Sequence, residues 1–148
     1  MVLAACTPSA TPTATNTANG AHVELGAPGC HPPSPVVGGE VQATGAGSAT
    51  AYGQLQVEDP SNLTIGEPIK LVLRMTGSGS LSADLTSPHG STRQLDWGPE
   101  AHPSSNYDRP GDEWGLGFSF DAPGCWALNL NRDGGGHATV WMIAHAAH

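Results

Sequence analysis

Apolar and polar residues alternate along most of the chain after residue 36. The clearest case is segment 69–76, where the odd-numbered positions are apolar while Lys70 and Arg74 face the opposite side. Alternation with a period of two predicts a β-strand with one buried and one exposed face. The segment therefore predicts a half-buried strand that is followed by a turn at Gly77-Ser78-Gly79.

The same alternation recurs at short intervals, with Gly and Pro turns between the apolar runs. No stretch has the 3.6-residue periodicity of an amphipathic helix. Seven or eight short strands with turn signals every 8 to 12 residues are typical of a β-sandwich. We therefore predict an all-β, immunoglobulin-like antiparallel sandwich, with strands around 40–44, 50–57, 69–76, 81–85, 95–97, 116–120, 126–130 and 140–143.

The first 27 residues lack this pattern. Leu3-Ala4-Ala5-Cys6 matches the lipobox, after which bacterial signal peptidase cuts and a diacylglycerol is attached to the Cys. Residues 7–27 are rich in Ser, Thr, Pro and Ala and contain too few apolar residues to fold. We interpret 1–6 as the remnant of a lipoprotein signal peptide, 7–27 as a flexible tether and 28–145 as the β-sandwich domain. The predicted location is extracytoplasmic, with the membrane as a partner through the lipid on Cys6.

The cysteine count agrees with that location. If Cys6 carries lipid, Cys30 and Cys125 remain as a pair in a compartment that permits disulfides. Cys125 alternates with the inward-facing Trp126, so a bridge would tie the incoming chain to an outer face or an edge. The alternative is two unrelated buried thiols. The sequence contains no C-x-x-C motif, which disfavours a metal site at these cysteines.

Composition excludes several functions. The formal net charge is −8, with one Lys and four Arg, so the chain has no basic patch for nucleic acid. Motifs of serine hydrolases, zinc proteases and phosphate-binding loops are absent, so we predict neither an enzyme nor a cofactor.

Two segments resemble bacterial immunoglobulin-like domains. Residues 63–71 look like the entry into their second strand, and 121–128 look like their penultimate strand, with Trp126 at the position of a corner Tyr. More closely, residues 28–144 resemble a set of uncharacterised bacterial lipoproteins that pair an early Cys with the Cys of a Pro-Gly-Cys-Trp strand. The resemblance implies the fold, the location and a Cys30–Cys125 pair, but no activity.

Segment 97–115 is the main candidate for function. It contains three Pro and predicts a long loop rather than a strand. As a structural clamp, Trp97 and Trp114 would pack on the sandwich edge, and Arg109 would form a bidentate bond with a carboxylate within the loop. A structural or protein-interaction role in the envelope is the primary functional prediction.

Two binding alternatives remain open for the same segment. In a glycan site, aromatic rings would form a platform and polar groups would contact the sugar; the residues are Trp97, Tyr107 and Trp114 with Asn106, Asp108 and Glu113. In a metal site, His102, Asp108, Asp112 and Glu113 would converge on a cation. The spacing matches no defined metal motif, so no metal is predicted as resident.

Overall fold

A computed structural model of the protein describes residues 30–43, 47–103 and 105–148. Cys6 and the predicted tether lie outside these residues. The described part consists of strands and turns and contains no helix that could cross a membrane. The strands are β1 (Val36–Val37), β2 (Glu40–Gln42), β3 (Ala51–Gln56), β4 (Ile69–Met75), β5 (Leu81–Thr86), β6 (Thr92–Arg93), β7 (Trp97–His102), β8 (Asp112–Phe118), β9 (Gly124–Arg132) and β10 (His137–Ala144).

The strands form two antiparallel sheets, in the orders β1-β2-β3-β4-β8-β7 and β10-β9-β5-β6. The subset β3-β4-β8-β7 has the order of the ABED sheet of immunoglobulin domains, and β10-β9-β5 has the order of the GFC sheet. The predicted all-β sandwich is therefore confirmed. The described residues form ten strands rather than seven or eight, since β1 and β6 are two-residue strands too short to show alternation.

The core fills the space between the two sheets. Each long strand contributes alternate residues, as the pleat requires, and β4 alone buries Ile69, Leu71, Leu73 and Met75. At one end of the core, Phe120 stacks against Trp126 with ring centroids 5.2 Å apart.

Trp126 also fastens the turn that precedes its own strand. Its indole Nε1 donates a hydrogen bond to the carbonyl of Ala122, at 2.9 Å. In immunoglobulin domains a Tyr hydroxyl makes a comparable bond to backbone a few residues upstream. The hydroxyl is absent here, as expected, but the indole N–H takes over its structural role.

The predicted disulfide is confirmed. Cys30 and Cys125 are bonded, with Cα atoms 5.9 Å apart, and the bridge lies on the outward side of β9. Next in the chain, Ser34 N–H donates to the carbonyl of Trp141 and Trp141 N–H donates to the Ser34 hydroxyl. The segment after Cys30 therefore covers the open edge of β10. The bridge does not cross the sandwich as it does in antibody domains, and it is consistent with an extracytoplasmic location.

Candidate functional site

The outward face of the six-stranded sheet carries most of the candidate residues. Because paired residues of antiparallel strands share a face, the side chains there fall into three rows across the sheet. The first row is Trp97, Gly117, Lys70 and Gln56; the second is Glu100, Gly115, Val72, Gln54 and Glu40; the third is His102, Glu113, Arg74, Tyr52 and Gln42.

A β-bulge in β7 aims two of these side chains outward. Trp97 pairs with Gly117 and Glu100 pairs with Gly115, so three steps along β7 match two along β8. Without the extra residue, Trp97 and Glu100 would face opposite sides. Gly98 has a φ of +79° in the bulge, a conformation that glycine adopts without strain. The bulge thus places an aromatic ring and a carboxylate on the same face.

The indole of Trp97 lies flat on the sheet. A Cβ at Gly117 would stand 1.8 Å from the indole Nε1, and a Cβ at Gly115 would stand 3.5 Å from the far side of the ring. The ring occupies the trough that these two glycines leave. Trp97 nevertheless remains 39% exposed, so its upper face is open to solvent.

The described residues of the connection from β7 to β8, 103 and 105–111, fold back over the third row. Glu113 is buried beneath this connection, where it accepts hydrogen bonds from Arg74 Nε at 3.0 Å and from the Ser105 hydroxyl. His102 Nδ1 lies 2.7 Å from the other carboxylate oxygen, within ion-pair distance but outside hydrogen-bond geometry. The buried carboxylate therefore holds the start of the connection against the sheet.

The end of the connection is held by a second carboxylate. Arg109 donates two hydrogen bonds of 2.7 Å to Glu40 on β2, and the Tyr107 hydroxyl donates to the same carboxylate at 2.8 Å. The guanidinium also lies over the Tyr52 ring, 5.0 Å from its centroid. We call Glu40, Tyr52, Tyr107 and Arg109 the latch. The Arg109 clamp is thus bidentate as predicted, but the prediction of a partner within the loop is wrong.

A groove lies between the connection and the exposed ring of Trp97. Its cavity volume is about 390 Å³, a size typical of small-molecule sites. The floor comes from β3, β4 and β8, one wall from β7, and the other wall from the connection. We call it the outer groove; its main lining residues are Gln54, Gln56, Lys70, Val72, Trp97, Glu100, Asn106 and Tyr107.

Two sequence-based predictions for segment 97–115 are wrong. The segment is not one long loop, because β7 and β8 take up both of its ends and pair with each other. Trp114 pairs with Leu73 on the inward face and is only 6% exposed. It therefore belongs to the core, and neither the three-ring platform nor the clamp by two Trp at the sandwich edge forms.

The predicted metal ligands do not converge. His102 and Glu113 meet, but Asp112 bonds Arg132 on the other side of the strand, and Asp108 is exposed. Within the described residues no group of three or more His, Cys, Asp or Glu side chains could hold a metal ion.

Acid should weaken the latch, because protonation of Glu40 removes the charge that Arg109 binds. The hydrogen bonds from Arg109 hold the pKa of Glu40 below its ordinary value of 4.5. A carboxylate with a depressed pKa stabilises the folded form above its unfolded pKa, and this contribution is lost as pH falls through the folded pKa. We expect amide hydrogen exchange across residues 105–111 to be slow at pH 6, after correction for intrinsic rates, and to accelerate several-fold as the pH falls below 4.5, the ordinary pKa of the carboxyl.

Glu40→Gln provides the matched control for this prediction. Exchange across residues 105–111 in this variant should be fast at both pH values, because the neutral amide cannot accept two charge-assisted bonds. Equal protection in the wild type and the variant at pH 6 would show that the latch does not hold the connection.

Sequence reasoning missed most of the groove floor. Gln54, Gln56 and Val72 were not candidates, and Lys70 was noted only as facing outward. The alternation itself could have pointed to these residues. The polar positions of each strand face outward, and outward positions on adjacent strands share one surface. The sequence matches no protein-family model and no curated protein.

Proposed function

We propose that this chain is a non-catalytic immunoglobulin-like domain that binds glycans of the cell envelope in the outer groove. The observation that carries the proposal is the indole of Trp97, which lies flat over Gly117 with its upper face exposed. A large apolar ring that is held open to solvent beside polar groups suits a ligand with one apolar and one hydroxylated surface. A pyranose ring has both.

The surroundings of the ring support this ligand class. The amides of Gln54, Gln56 and Asn106 line the groove, and each amide both donates and accepts hydrogen bonds. Sugar hydroxyls have the same dual character. The buried carboxylate at the end of the groove, Glu113, is engaged by Arg74 and Ser105, so we assign it to supporting the wall rather than to acid–base chemistry.

Removal of the exposed ring tests the proposal. On a glycan array, and then by calorimetry with the best glycan, Trp97→Ala should lose at least about 2 kcal/mol of binding, or roughly 30-fold in affinity, as Trp hot spots do. Gly117→Ala should weaken binding similarly, because its new Cβ would displace the ring. Trp114→Ala would be uninformative, since that residue is in the core.

Trp141→Ala is the matched control, since Trp141 is half-buried on the outward face of the other sheet. It should bind glycans like the wild type. If no glycan on the array binds the wild type, or if Trp97→Ala binds as well as the wild type, the proposal is wrong.

The structural or protein-interaction role remains a second candidate because of β1. Among the described residues this strand is one edge of the six-stranded sheet, and Val37 is 78% exposed there. Exposed apolar edges are places where another chain can add a strand. Specific photo-crosslinking from position 37 to an envelope protein, with no glycan binding, would favour this role; absence of such a crosslink would remove it.

We also propose that the domain is anchored in the membrane through a lipid on Cys6. The lipobox pattern and the Ser/Thr/Pro/Ala-rich segment after it support the anchor, and the Cys30–Cys125 disulfide fits an exported domain. Metabolic labelling with a fatty-acid analogue should mark the wild type but not Cys6→Ser. Equal labelling of both would exclude Cys6 as the lipidated residue.

A further inference from the structure

The cations of this chain are distributed unevenly. The sequence has five Lys and Arg residues, and each of the four Arg side chains pairs with a carboxylate. The pairs are Arg74–Glu113, Arg93–Asp121, Arg109–Glu40 and Arg132–Asp112. Lys70 is exposed and forms no ion pair with any residue that the structure describes. Among the residues that the structure describes, Lys70 is therefore the Lys or Arg side chain without a carboxylate partner, and it lines the outer groove.

Lys70 lies in the same row as the exposed ring. Both Lys70 and Trp97 pair with Gly117, from opposite sides of β8. Their backbones are two strand spacings apart, or about 10 Å, and the glycine between them contributes no side chain. The indole covers Gly117 and reaches toward Gly115, so the ring lies over β8, the strand next to the one that carries Lys70, and its open face points away from the sheet.

We infer that the ligand is an acidic glycan, whose anionic group pairs with Lys70 while its sugar ring stacks on Trp97. This inference rests on the glycan-binding function proposed above and names the ligand class. Lys70 lines the same groove as the ring and has no carboxylate partner among the described residues, and a uronate or sulfate on the stacked ring would supply that charge. In a chain with a net charge of −8, an anionic ligand requires such a local cation, because the rest of the surface repels it.

Glu100 determines which end of the groove can accept the acidic sugar. It is exposed on β7, one row from Lys70 and two strands away, and it also lines the groove. Its carboxylate disfavours a second negative charge at that end and accepts hydrogen bonds from hydroxyls. The arrangement places the acidic sugar at the end with Trp97 and Lys70, and a neutral sugar beside Glu100 and Asn106.

The test compares acidic glycans with matched neutral ones. The probes are oligosaccharides that carry uronate or sulfate groups, together with the same oligosaccharides after carboxyl reduction or desulfation. We expect the wild type to bind the acidic forms about 10-fold more tightly than the neutral ones, since charge-assisted bonds give such factors. Lys70→Gln should lose about 10-fold for the acidic forms and less than about 2-fold for the neutral forms. Affinity for the acidic forms should also fall as salt is raised.

Arg93→Gln is the matched control, because it removes the same charge outside the groove, and it should leave both affinities unchanged. Neutral glycans that bind as tightly as acidic ones, or equal binding of acidic glycans by Lys70→Gln and the wild type, would overturn this inference and leave the proposed function intact. An array on which no glycan binds would overturn both. A loss of affinity in Arg93→Gln equal to that in Lys70→Gln would show a general charge effect and would also overturn the inference.

Discussion

Removing the Cys30–Cys125 bridge should lower the free energy of unfolding by about 3 kcal/mol and the melting temperature by about 10 °C. The bridge closes a loop with a sequence separation of 95 residues. In the chain-entropy model a bridge lowers the conformational entropy of the unfolded chain, and more so for a longer loop, so removing it stabilises the unfolded state. It also holds the segment that covers the edge of β10, where Ser34 and Trp141 exchange hydrogen bonds.

The double variant Cys30→Ala/Cys125→Ala tests this without leaving a lone thiol. Thermal unfolding of both proteins should be followed with and without reductant. Reductant should destabilise the wild type to the level of the variant and leave the variant unchanged. Melting temperatures that agree within about 2 °C before reduction would show that the bridge does not stabilise the domain.

Arg132→Ala should be comparably destabilising, by about 3 kcal/mol, because Arg132 is a buried charge at one end of the core. Its guanidinium donates hydrogen bonds to the carbonyls of Met75 and Gly79, pairs with Asp112, and lies 4.4 Å from the centroid of the Trp114 ring. The substitution would leave two backbone carbonyls without their donors and open space against the ring.

Chemical denaturation with two comparison variants separates these contributions. Arg132→Lys keeps the charge but lacks the planar guanidinium with its several N–H donors. Its loss of unfolding free energy should therefore lie between those of the other two variants. Arg93→Ala removes an arginine whose ion pairs are partly exposed to water, and it should cost less than about 1 kcal/mol. If Arg132→Ala were no more destabilising than Arg93→Ala, the buried guanidinium would not hold this end of the sandwich together.

The sequence alone predicts the sandwich and the disulfide, but it does not predict strand β7. The three Pro residues of segment 97–115 argued against a strand, yet Pro99 lies in β7, an edge strand with a bulge, where the missing N–H of proline is tolerated. Trp114 could have been placed correctly, because the alternation of Leu116 and Phe118 extends back to it. In the same way, the alternation of Leu128 and Leu130 extends to Arg132 and predicts that its side chain faces the core.

Other contacts of the site cannot be predicted from the local sequence. Glu40 and Arg109 are 69 residues apart, and no pattern near either residue selects the other. The outer groove joins residues of β3, β4, β7, β8 and the connection after β7, so it can be located only once the strand order is known. The sequence-based candidates therefore include Trp97, His102, Asn106, Tyr107 and Glu113 of the groove lining but not Gln54, Gln56 and Val72 of its floor.

Chemical-shift mapping tests the central claim, that the outer groove is the binding surface. The protein, labelled with ¹⁵N, is titrated with the glycan that gives the strongest signal on the array. We expect the indole N–H of Trp97, the side-chain amides of Gln54, Gln56 and Asn106, and the backbone of Lys70 to shift together with a single dissociation constant. The indole of Trp141, on the other sheet, should stay unperturbed. Shifts that cluster around Trp141 or β1 and spare Trp97 would contradict the account.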